Sequence, residues 1–77
     1  MKTIFNMTLT DMTQIANISL YLKENWFAKL VIIAFRVGKR KPRVYQVDSP
    51  KVVDEVSKYL IDSLGRKGDL KVRVEAT

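Results

Sequence analysis

Phe5, Met7 and Leu9 alternate with Asn6 and Thr8, the two-residue period of a strand that buries one face. Asp11 then precedes Gln14 by three residues, a spacing at which each side chain can satisfy a free backbone donor at a helix start. A helix is predicted from about Met12 to Asn25. At helical spacing Met12, Ile15, Ala16, Ser19, Leu20, Leu22 and Trp26 share a face, with Thr13, Asn17 and Glu24 opposite. Ile18 falls on the border of that stripe and Tyr21 on its polar side, which widens it enough to offer a dimer or ligand contact.

Lys29 to Val37 is rich in β-branched and aromatic residues and apolar on both sides, with Leu30, Ile32 and Ala34 on one face and Val31, Ile33 and Phe35 on the other. Such a strand belongs inside a sheet or at an interface. Gly38 and Pro42 punctuate the chain before alternation resumes over Arg43 to Asp48, so residues 38–42 are predicted to form an exposed hairpin tip. Ser49 and Pro50 suit the cap and first position of a second helix, whose Val52, Val53, Val56, Tyr59, Leu60 and Leu64 repeat at helical spacing up to Gly65. After the turn at 66–68, Leu70, Val72 and Val74 alternate with Lys71, Arg73 and Glu75, giving a last strand with one apolar and one charged face.

The predicted order is β-α-β-β-α-β over a single domain, residues 1–77. That order makes an α+β two-layer sandwich, a four-stranded mainly antiparallel sheet with both helices on one face. The alternative leaves residues 1–10 as an irregular arm before α-β-β-α-β. In either arrangement one face of the sheet is open to solvent or a partner.

Charge adds direction to this picture. Fourteen Lys and Arg against eight Asp and Glu give a net +6, and five of those cations, Arg36, Lys39, Arg40, Lys41 and Arg43, fall within eight residues that hold no acid. The other nine cations nearly balance the eight acids, so the surplus is concentrated on the predicted hairpin. Clustered cations gain most from phosphates, whose counterions are released on binding. Arginine adds a planar fork that binds phosphate through two bonds or stacks on an unpaired base, which makes Arg40 and Arg43 the favoured contacts. Lys71 and Arg73 are expected on the open face; Phe35 and Tyr45 are read first as core residues, with stacking surfaces beside those cations as their alternative role. The element order is similar in outline to that of RNA-recognition domains, but their signature on the third strand has no counterpart in Arg43 to Asp48.

Other chemistry is disfavoured. The chain has no cysteine and no histidine, which removes thiolate nucleophiles, the commonest general base and the commonest metal ligands. Three isolated glycines match no phosphate-cradling loop, so no nucleotide cofactor is expected. Asp54, Glu55 and Asp62 are read as helix-surface acids and not as a metal site; Asp54 and Glu55 are placed in the first helical turn. Leu30 to Phe35, the longest apolar run, is far shorter than the roughly 20 residues of a membrane span, and the start lacks the apolar region of a signal peptide. The sequence therefore leads to a cytoplasmic, non-enzymatic protein, without cofactor or membrane partner, that binds nucleic acid, RNA before DNA, as an RNA- or ribonucleoprotein-associated accessory. A homodimerising or assembly-forming module is the competing expectation.

Overall fold

The computed structural model describes residues 2–36, 38, 41–64 and 70–76. Six elements follow in the expected order: β1 (Lys2–Leu9), α1 (Met12–Asn25), β2 (Leu30–Arg36), β3 (Arg43–Val47), α2 (Pro50–Leu64) and β4 (Leu70–Ala76), with a single 3-10 turn at Trp26–Ala28 between α1 and β2. The strands form one sheet in the order β1-β4-β2-β3, and every neighbouring pair is antiparallel. No helix among the described residues is long and apolar enough to cross a membrane.

The alternation read from the sequence sets the faces of this sheet. Leu30, Ile32 and Ala34 on β2, Leu70, Val72 and Val74 on β4, Val47 on β3 and Leu9 on β1 all point into one core, together with Ile15, Ile18 and Leu22 of α1 and Val53, Val56 and Leu60 of α2. α1 lies toward β1, where the Tyr21 ring meets Phe5 edge-on at 4.9 Å. α2 lies toward β3, where Tyr59 meets Tyr45 at 5.8 Å. Both helices thus cover the same face.

Local chemistry begins each helix as expected. Asp11 Oδ1 accepts from the Gln14 amide at 3.1 Å while Gln14 Oε1 accepts from the Asp11 amide at 3.1 Å, completing the capping box. Ser49 Oγ accepts from the Val52 amide at 3.4 Å, and Pro50 opens α2. Because α2 starts there, Asp54 and Glu55 fall in its second turn and not its first. Gly65, the expected end of α2, lies outside the described residues.

The expected first strand is present, and three other readings need correction. Residues 1–10 do not form an irregular arm: β1 pairs with β4 from Lys2↔Ala76 to Leu9↔Leu70, interrupted by a bulge at Ile4. The buried stripe of α1 is rotated from the predicted one, since Ile18 is 0% exposed while Met12 and Leu20 are 53% and 59% exposed. Ile18 is therefore core and not a contact for a second chain. The rotation follows from the helix pair, whose contact is built on two small polar side chains: Ser19 Oγ and Ser57 Oγ lie 2.6 Å apart, and Ser57 also donates to the Val53 carbonyl at 2.9 Å. With its hydroxyl hydrogen used on Val53, Ser57 accepts from Ser19, so that side of α1 turns to α2 and leaves Met12 and Leu20 above the contact. The third correction concerns the stacking role offered as the alternative for Tyr45, whose core-side reading holds. Tyr45 stands opposite Ile32, whose side chain is in the core, so it projects under α2 and not from the open face.

Candidate nucleic-acid interface

The helix-free face of the sheet is built from the residues that alternate with the core. β2 contributes Val31, Ile33 and Phe35, and β3 adds Val44 and Gln46, opposite Ile33 and Val31 respectively. β4 sets Lys71 opposite Phe35, Arg73 opposite Ile33 and Glu75 opposite Val31, while β1 brings Thr8 opposite Lys71 and Asn6 opposite Arg73. The Arg73 guanidinium reaches diagonally across to lie 5.5 Å from the centre of the Phe35 ring. Its Nε is buried without a hydrogen-bond partner, so the side chain's demand for an acceptor is unmet at that atom. The surface is an apolar strip along β2 and β3 bordered by cations and uncharged hydrogen-bonding groups.

Lys71 and Arg73 are on the expected face, and Phe35 joins them there in place of the core position first read for it. Tyr45 is absent from this face, and so is Arg43, which shares its side of β3. Arg43 is surface-exposed on the helix-covered side. Its Cζ lies 5.4 Å from the Tyr45 ring centre and 5.3 Å from that of Tyr59, and its Nε donates to the Tyr45 hydroxyl at 3.2 Å. The groove around it is completed by Glu55, Lys58 and Asp62 of α2. Arg36 is half-buried and donates from Nη2 to the Ser63 carbonyl at 3.3 Å, near the end of α2. Two of the five hairpin cations therefore brace the fold. Lys41 is exposed beside them, and Lys39 and Arg40 lie outside the described residues.

Register gathers these charges at one end of the sheet. Arg36 stands opposite Leu70, Phe35 opposite Lys71 and Ala34 opposite both Val72 and Arg43, so the basic group of the hairpin and that of β4 share an end. The opposite end carries Glu75 and Asp48. The third strand, on which RNA-recognition domains carry their signature, is here an edge strand.

Residue-type arguments alone did not single out Tyr59, Asn6 or Thr8. Tyr59 read as one more member of an apolar helical stripe, and the two polar residues of β1 read as plain solvent-facing positions. For Asn6 and Thr8 the signal is register with β4, a strand remote in sequence, and for Tyr59 it is the packing of α2 against Tyr45 of β3. No family model matches the chain, and neither does any curated protein or solved structure.

Proposed function

We propose that this protein is a non-catalytic, single-strand nucleic-acid-binding accessory protein that takes RNA in preference to DNA on the helix-free face of its sheet. One observation carries the reading: the Arg73 guanidinium lies over Phe35 on that face, with Lys71 directly opposite the ring. A flat ring edged by cations offers an unpaired base a stacking partner and its backbone a charge partner. Neighbouring Asn6 and Thr8 supply uncharged donors and acceptors without adding repulsion. Lys41 and Arg43 extend the positive potential around the end of the sheet, and the two tyrosines hold the Arg43 guanidinium in a fixed plane before any phosphate arrives. Lys39 and Arg40 belong to the same charged group in the sequence. Neither helix offers a row of arginine, asparagine or glutamine for a duplex major groove, which favours unpaired or backbone-read substrates. A role within a ribonucleoprotein particle fits the same chemistry.

The test is fluorescence anisotropy with labelled single-stranded RNA, structured RNA and duplex DNA at low and physiological salt. Single-stranded RNA is expected to bind tightest. If Lys41, Arg43, Lys71 and Arg73 each neutralise a phosphate, the logarithmic salt slope is about −3. Phe35→Ala should weaken binding about tenfold to a hundredfold, the cost of one base–aromatic stack. Lys71→Ala should reduce the slope by roughly 0.7 with circular dichroism unchanged. Absence of binding at low salt, or binding indifferent to Phe35, Lys71 and Arg73, overturns the proposal.

A further inference from the structure

The two edges of the sheet are protected very differently. β3 is five residues long, follows Pro42, begins with Arg43 and is followed by Asp48. Short length, proline and charge are the usual means by which an edge avoids pairing with another chain. β1 is eight residues long, and from Thr3 to Leu9 it contains no charge, proline or glycine. Its bulge is at Ile4, and from Phe5 to Leu9 it runs in unbroken register with β4. Among the described residues it has β4 as its single strand neighbour. Phe5 and Met7 point to the helix-covered side yet remain half-buried, where their counterparts Val72 and Val74 on β4 are 0% exposed.

We propose that β1 is the interface for a second copy of this chain, pairing antiparallel with its symmetry mate to make one eight-stranded sheet. The reading is independent of nucleic-acid binding. An antiparallel pair centred on Asn6, the midpoint of the uncharged run, sets Asn6 opposite itself and Phe5 opposite the mate's Met7. Apolar residues then meet apolar ones on the helix side, and the half-buried Phe5, Met7 and Tyr21 become interior. Gln14 Nε2 already donates to the Thr8 carbonyl at 3.1 Å, which satisfies that group at the limit of the seam.

Net charge does not oppose this pairing. Lys2 and its mate fall at opposite ends of the seam, and Lys71 and Arg73 of β4 stand three strand spacings from their mates, about 14 Å, beyond the roughly 8 Å screening length at physiological salt. The asymmetry of the edges also fixes the stoichiometry: an isologous contact through β1 consumes the one unprotected edge, and the blunted β3 edges stop growth at two.

Sedimentation equilibrium of the purified chain should give twice the monomer mass of 8.9 kDa. Asn6→Glu places a carboxylate opposite Arg73, which the folded monomer accommodates, but sets two carboxylates against each other in the seam. It should return the mass to 8.9 kDa with unchanged circular dichroism. Val44→Glu, at the other edge, should remain dimeric. Because the chain has no cysteine, Asn6→Cys provides a second readout that does not depend on disrupting anything: mild oxidation should yield a disulfide-linked dimer, and Val44→Cys should not. A monomer at every concentration, a dimer broken by Val44→Glu but not Asn6→Glu, or an open-ended series of larger species each overturns the proposal.

Discussion

Lys29 occupies a backbone conformation that suits glycine. Its φ is 56°, in the left-handed region, and its amide donates to the Trp26 carbonyl at 3.1 Å to close the 3-10 turn before β2. A side chain there costs about 1 kcal/mol or more, so Lys29→Gly should raise stability by up to about 1 kcal/mol, seen as a higher urea midpoint at unchanged slope. The serine relay makes a second residue-level prediction. Ser19→Ala should cost about 1 kcal/mol; Ser57→Ala should cost somewhat more, because it strands the half-buried Ser19 hydroxyl as well as losing the bond to Val53. The double variant should fall short of the sum. Urea denaturation of the three variants measures all of these.

At the scale of elements, α1 separates what the sequence made legible from what it did not. Its limits followed from Asp11, Gln14 and the apolar period, because capping is a local event that reads directly from spacing. Its orientation did not, because Met12, Ile15, Ala16, Ile18, Leu20 and Leu22 are apolar around more than half the helix, and only packing against β1 and the Ser57 side chain chooses among them. The choice is testable: Leu22→Ala should destabilise by about 2–5 kcal/mol and Leu20→Ala by less than about 0.5 kcal/mol. The predicted stripe would have made them comparable. The same distinction applies to the candidate site. Lys71 and Arg73 alternate cleanly with Leu70, Val72 and Val74, so their face reads from the sequence, as does the core side of Tyr45; Phe35 does not, because β2 is apolar on both faces and only its neighbours decide which side the helices cover.

For the molecule as a whole, the surplus of positive charge is divided by role. Arg36 and Arg43 are held by Ser63 and by Tyr45 and Tyr59, while Lys71 and Arg73 face outward on the helix-free side. Removing Arg36 and removing the outward pair should therefore have different signatures. Arg36→Ala should lower the thermal midpoint, with little change in salt slope for nucleic-acid binding. The Lys71→Ala/Arg73→Ala pair should leave the midpoint nearly unchanged and flatten the slope by roughly 1.4. Thermal melts followed by circular dichroism, alongside anisotropy, separate the two. The chain with all cations uniformly solvated would respond alike to both changes.

The central position of β4 also governs when the fold can exist. β1 has its sheet partner in the element that comes last in the sequence, and β2 has one of its two neighbours there. As the chain emerges from a ribosome, the hairpin of β2 and β3 and the start of α2 are available early, but Phe5, Met7 and Leu9 must wait for residues some 65 positions away. Closing so long a loop delays the pairing of β1 until synthesis has passed β4, so the sheet is completed late even though its β2–β3 hairpin can form early. During that interval the uncharged first strand is without any pairing partner, a window in which association with other chains would precede folding.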